Sequence, residues 1–217
     1  MSEARSSNDA KAAVLEAALK LAPDEGFSDS MLAAAGKDAG VAADLVTHLF
    51  PQGPASLVEL FSEQSDAAME WLLAEKNLSE MKIRERISAA VLARIDAIRP
   101  HKEAARRAAA FLLMPAHVPL GMKLLYATVD AMWRSAGDTS TDFNFYTKRA
   151  ILSAVYSSTL MRWFNDASED ESATREFLAA RIENVMQFEK FKAGMRERTK
   201  DMSSFADVLK GFNAPKS

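Results

Sequence analysis

Between Asp130 and Arg149 the sequence DAMWRSAGDTSTDFNFYTKR places Trp133 and Arg134 on one side of a polar turn and Phe145, Tyr146, Lys148 and Arg149 on the other. Aromatic rings beside guanidinium and ammonium groups are the residue types that anchor contacts between proteins. Gly137 can take the left-handed conformation that ends one helix, and Asp142 can cap the next, so the two clusters face each other across a helix junction. A structural alternative stands beside this reading: Phe145 and Tyr146 pack under the turn, and Asp130 and Arg149 form a structural ion pair. Adjacent helical positions point about 100° apart, so both rings cannot be buried against one neighbour.

Catalysis finds little support elsewhere. His48, His101 and His117 are far apart, and the chain has no H-E-x-x-H or E-x-x-H pair, no Gly-rich phosphate loop and no G-x-S-x-G elbow. His117, between Pro115 and Pro119, is expected to cap or pack. Zero cysteines exclude a disulfide framework, thiolate metal sites and thiol nucleophiles. The expectation is a non-enzyme with no catalytic residue, no metal and no cofactor.

The elements that must position these residues are helices. With 217 residues and 48% hydrophobic content, the chain can bury a substantial core. Apolar residues recur at spacings of three and four, and no stretch alternates with period two, so the fold class is all-α. The pattern predicts helices over about 8–22, 30–39, 41–49, 54–77, 80–99, 100–113, 120–136, 143–166 and 171–188. Pro23 to Gly26 is expected to end the first, Pro54 fits a first helical turn, and the prolines of Met114 to Pro119 break the pattern. A final short helix is expected over Ser204 to Phe212. No apolar run reaches the roughly 18 residues that cross a bilayer. The segment MSEARSSNDAKAA has neither the apolar core of a signal peptide nor the composition of a transit peptide, so a bacterial-type cytoplasmic address is expected.

Three short helices followed by LVTHLFPQGPASLVELF resemble the N-terminal helix-turn-helix of TetR-type regulators. A ligand-responsive transcriptional repressor is therefore the rival functional reading. The charge argues against it. Residues 8 to 50 hold three bases against seven acids, whereas a duplex binder needs lysines and arginines to displace counterions from phosphates. In VAADLVTHL only Thr47 and His48 could touch a base edge, and Asp44 would repel phosphate. The net charge of −3 for the whole chain points the same way, and no nucleic-acid partner is expected.

The pieces MPAHVPLGMKLL, VDAMWRSAGDTSTDFNFYTKR, LSAVYSSTL and FLAARIENVM, taken in that order, resemble the TetR-like, lipid-binding accessory proteins of ubiquinone (coenzyme Q) biosynthesis. The resemblance covers roughly residues 10 to 190. It implies a TetR-like helical bundle with a degenerate helix-turn-helix-like subdomain (8–52), a lipid-binding and dimerisation domain (53–190), and a basic tail (191–217). It further implies a non-catalytic homodimer that binds an isoprenoid lipid and presents the quinone precursor to the di-iron demethoxyubiquinone hydroxylase. Such a protein would sit on the membrane surface, at the inner face of a bacterial membrane or on the mitochondrial matrix side. By the same resemblance Asp130, Met132, Phe145, Tyr146 and Arg149 fall on the partner-binding surface. Where the family usually has asparagine, tryptophan, tyrosine, this chain has Asn144, Phe145, Tyr146, which loses an indole donor and keeps the flat apolar contact.

Under that resemblance Leu112, Leu113, Met114, Leu124, Leu125, Val129, Trp133, Val155, Leu160 and Trp163 are expected to wall a lipid cavity. Eleven methionines supply adaptable apolar surface. Periodicity alone does not distinguish a hollow interior from a filled core. In the tail, Phe205, Val208, Leu209 and Phe212 occupy i, i+3, i+4 and i+7, and seven bases against four acids follow residue 188. This pattern suits weak, reversible, salt-sensitive binding to an anionic leaflet; docking back on the domain or its dimer mate is the alternative. A second basic stretch, Lys76 to Arg107, reads as a solvated face, or as a surface meeting lipid headgroups or an acidic partner.

Overall fold

The computed structural model describes residues 2–139 and 143–187, with side chains from 7 to 139 and from 145 to 187. Among these described residues the helices run as α1 (Ser2–Glu25), α2 (Asp29–Asp38), α3 (Ala43–Leu49), α4 (Pro54–Ala74), α5 (Ile83–Ile98), α6 (Lys102–Leu112), α7 (Val118–Ser135) and α8 (Phe143–Phe164). A ninth, α9, is helical from 172 to 187. There is no strand among the described residues, as the period of the apolar pattern requires. The expected Asp142 cap and the whole tail, with Phe205, Val208, Leu209 and Phe212, lie outside the described residues.

Local chemistry sets the boundaries. α1 ends within the expected Pro23 to Gly26 segment: the helix runs through Pro23 to Glu25, and Gly26 at φ +68° turns the chain out. Lacking an amide proton, Pro23 cannot donate to the carbonyl four residues earlier, so the last turn of α1 is short of one backbone bond. The Pro23 carbonyl meanwhile accepts from Arg107 Nε at 3.0 Å, tying α1 to α6. Ser28 then starts α2, its Oγ accepting from the Met31 amide at 3.1 Å, with Asp29 in the positive first turn. The expected break near residue 100 is a single tight turn, Arg99–His101. The one near Met114 is another, Pro115–His117, after which Pro119 sits in the first turn of α7. His117 packs there, stacked on Phe111 with ring centroids 4.0 Å apart.

α4 lies between α5 and α7, α1 packs on α2 and α6, and α7 packs on α8. The buried apolar residues form one continuous cluster from Val14 to Leu178, including Met31, Leu57, Met69, Ile95, Met132 and Trp163. Burial of each such side chain contributes about 1.5–3 kcal/mol. At the far end Asp166 fastens the start of α9. Its carboxylate accepts from Ser168 Oγ and the Ser168 amide, and from the Thr174 hydroxyl and amide. The Ser168 hydroxyl, followed by Thr174, holds this carboxyl well below the usual range.

α2 and α3 meet at closest approach on Gly36, where a Cβ would come within 2.6 Å of Val46 Cγ2. Valine is stiff at χ1 and has little room to yield. In an open helix Gly to Ala gains about 1 kcal/mol, but here Gly36→Ala is expected to destabilise by about 1–2 kcal/mol through overpacking. In a Val46→Ala background the same change becomes stabilising; urea denaturation of the four proteins of the cycle measures the sign reversal.

Candidate functional site: an apolar cavity and an ion-paired helix junction

α4, α5, α6, α7 and α8 surround a cavity of about 450 Å³, a size that suits a small apolar ligand. Leu112, Leu113, Leu124, Leu125 and Leu160 are among its walls, with Val58, Phe61, Ile98 and Phe164. Its mouth is edged by apolar side chains that stand in solvent: Leu113, Val118, Met122 and Met161. A second cavity of about 240 Å³ lies between α5, α8 and α9, and Trp133 and Val155 line it beside Ile83, Ile87, Ile151, Ile182 and Met186. Val129 and Trp163 are packed solid, and Met114 is exposed; none of the three lines either cavity. Trp163 is instead held by its neighbours, donating from Nε1 to Glu171 Oε1 at 2.6 Å under the Lys102 ammonium.

One wall of the larger cavity is charged. Arg94 is buried; its Nε donates to Asp66 Oδ1 at 2.7 Å, and Thr128 Oγ1 donates to the same carboxylate at 2.9 Å. The three residues come from α5, α4 and α7. Tyr156 lies close by, and burial pushes its phenol pKa up, so the ring stays protonated. In the sequence Arg94 reads as one more base of the 76–107 stretch. The signal that separates it is position: it stands in register with Ile87, Val91 and Ile98 on the buried stripe of α5, where a solvated arginine has no place.

The junction is built on Arg149, at only 3% exposed. Its Nε donates to Asp130 Oδ1 at 2.7 Å, its Nη1 to Asp138 Oδ2 at 3.1 Å and to the Phe145 carbonyl at 3.2 Å. Its guanidinium also lies 3.4 Å over the Phe145 ring. Lys148 Nζ meets the other oxygen of Asp138 at 2.7 Å, and Trp133 Nε1 donates to the Lys148 carbonyl at 3.2 Å. Asp130 also accepts from Arg134 Nε at 3.1 Å. Arg86 closes the end of α7 from the α5 side, donating from Nη1 to the Ala136 carbonyl beside Gly137, which takes φ +85°.

Of the five residues expected on a partner surface, the ion pair thus engages Asp130 and Arg149, and Met132 is fully buried behind them. Phe145 is half-buried. Tyr146 stands 66% exposed, its ring edge-on to Phe145 at 5.2 Å. Among the described residues no group of three or more His, Asp or Glu side chains gathers where a metal ion could be held, and no single helix is long and apolar enough to cross a membrane.

Residues 118–189 match the family described as COQ9. Over 184 residues the chain is 33% identical to the ubiquinone biosynthesis protein COQ9, mitochondrial, of Rattus norvegicus, covering 80% of this chain and 57% of that protein. It is 35% identical to COQ9-B of Xenopus laevis, covering 80% and 61%, and 31% identical to COQ9 of Homo sapiens, covering 80% and 56%. The chain therefore spans less than two thirds of the length of these relatives. The crystal structure of a TetR transcriptional regulator from Nitrosomonas europaea ATCC 19718 matches with a TM-score of 0.65 at 20% identity, covering 79% of this chain and 95% of that one, which establishes a TetR-like fold.

Removing Arg149 leaves two carboxylates at the junction without their shared cation. Arg149→Ala is expected to cost about 3–5 kcal/mol, whereas Tyr146→Ala, at a solvent-facing position, changes stability by less than about 0.5 kcal/mol. Urea denaturation followed by circular dichroism measures both.

Proposed function

We propose, from its similarity to COQ9 proteins, that this chain serves ubiquinone biosynthesis as a non-catalytic accessory protein that holds an isoprenoid-type lipid. The observation that carries the proposal is the apolar cavity with an apolar, solvent-facing mouth. Alkyl side chains left in water around an opening mark a surface that meets lipid or a partner. Leu113, Val118, Met122 and Met161 form such a rim, and all lie close to or within the stretch that matches the family.

The accompanying roles follow from the same premise. The protein works as a homodimer at a membrane surface, on the matrix side in mitochondria or at the inner face of a bacterial membrane. It attaches through Phe205, Val208, Leu209 and Phe212, and presents the quinone precursor to the di-iron hydroxylase through the junction around Tyr146. The relatives' names place them in mitochondria, which supports the organellar form of that address.

Native mass spectrometry of the purified protein is expected to find a co-purifying isoprenoid or phospholipid. Ala109→Trp, which projects into the cavity, should lower its occupancy about tenfold. Repeated recovery of well-folded but lipid-free protein would overturn the cavity reading. Flotation on anionic liposomes should be lost when residues 203 to 217 are removed, and Tyr146→Ala should weaken capture of the hydroxylase without affecting flotation. Specific retention of genomic DNA with no liposome binding would instead favour a repressor.

A further inference from the structure

We propose that the corner between α6 and α7 inserts into the acyl layer of a lipid bilayer, as a membrane contact separate from the tail; this rests on the lipid-binding reading above and adds the surface through which the cavity meets its source of ligand. Leu113, Val118, Met122 and Met161 stand in solvent around one mouth, with Leu113 at 72% and Met122 at 63% exposed, and Met114 follows Leu113 into water. These five are half of the large apolar side chains left exposed among the described residues. Single exposed apolar residues need no explanation, but such a concentration on one corner marks a contact surface.

The chemistry of the corner favours lipid over a protein partner. From Ala104 to Val129 the sequence holds no Asp or Glu, and the apex from Leu113 to Pro119 has one polar side chain, His117, whose ring is stacked on Phe111. A protein interface carries about one hydrogen bond per 100–200 Å², and the apex offers almost no side chain with which to make one. Its backbone is also prepared for hydrocarbon, where polar groups must be satisfied internally. The amides of Leu113, Met114 and His117 donate to the carbonyls of Ala109, Phe111 and Met114, and Pro115 and Pro119 have no N–H to leave bare.

Position sets the depth. The helical segments on either side of the apex meet at 91°, which makes it a corner rather than a continuing rod. Arg106 precedes Leu113 by two turns on the exposed stripe of α6, about 10 Å along the axis, and the exposed Tyr126 follows Met122 by one turn on α7. Interfacial segments bury their apolar face by about 5–10 Å, which leaves the guanidinium and the phenol at headgroup level. Glu103 beside Arg106 and Arg107, and Glu59 and Glu63 beside Lys123, offset much of the nearby basic charge. Insertion therefore rests on the apolar groups and depends little on salt, unlike attachment by the basic tail.

The chain has no cysteine, so Leu113→Cys and Met122→Cys each give one labelling site. Full-length protein carrying a polarity-sensitive fluorophore there is mixed with vesicles of equimolar phosphatidylcholine and phosphatidylglycerol, with and without a nitroxide on the acyl chains. Emission from both sites is expected to shift to the blue and be quenched by the nitroxide, while a label at Ala33→Cys, on the exposed side of α2, is unaffected. In unlabelled protein, Leu113→Gln with Met122→Gln should lower partitioning onto these vesicles at high salt about tenfold, with circular dichroism unchanged. A corner label that stays in water on vesicle-bound protein, a double variant that partitions like wild type, or wild type that fails to bind vesicles would each overturn the insertion. An inserted corner on protein that native mass spectrometry finds lipid-free would instead sink the cavity reading and leave the insertion standing.

Discussion

Arg94 brings a full positive charge into a wall of alkyl groups, and the helices around it are arranged so that this is tolerable. Asp66 of α4 supplies the counter-charge, Thr128 of α7 donates to Asp66, and Tyr156 of α8 lies close by. A buried pair of this kind contributes little net stability compared with apolar residues of similar volume. It ties α4, α5 and α7 to one another, since separating α4 from α5 would strand a charge and moving α7 would break the Thr128 hydrogen bond. The cavity exists between helices whose relative positions are held in this way.

The junction of α7 and α8 solves a similar problem at the surface. Arg149 is buried between two aspartates and an aromatic ring, and Lys148 completes the set. These contacts consume most of the polar groups that the sequence shows there. Among the described residues of the junction, the large side chain left outward is that of Tyr146. An exposed aromatic ring has few rotamers to lose when something docks on it, which is a property that makes aromatic residues effective anchors.

The fold was legible because helical periodicity and helix punctuation are local. Gly26 at the α1 to α2 turn, Pro54 at the start of α4 and the two prolines around the start of α7 act on their own neighbours, and these boundaries lie within a few residues of expectation. The first helix ends inside the expected Pro23 to Gly26 segment, three residues beyond Ala22, with Gly26 making the turn. The cavity was only partly legible. Leu112, Leu124, Leu125 and Leu160 face it, but Val129 and Trp163 share the same spacing and composition and are packed solid, because which apolar residue meets a void depends on the partner helix. Arg94 shows the opposite failure: its chemistry was visible, and its burial follows only once α4 and α7 are seen to bring Asp66 and Thr128 to it. Asp130 and Arg149, nineteen positions apart, could be paired from sequence because a single tight junction joins their helices.

The cavity of about 450 Å³ is too small to enclose a long polyprenyl chain. On the proposed reading, a guest of that kind would enter only in part and trail the rest of its length through the apolar mouth. Drawing an entire prenyl tail out of a bilayer would cost about 0.8 kcal/mol for every methylene exposed. A carrier that lifts only the ring end, leaving the tail among the acyl chains, avoids nearly all of that cost. Such a protein would not ferry cargo through water; it would tilt the reactive end of a membrane-bound molecule up to the interface.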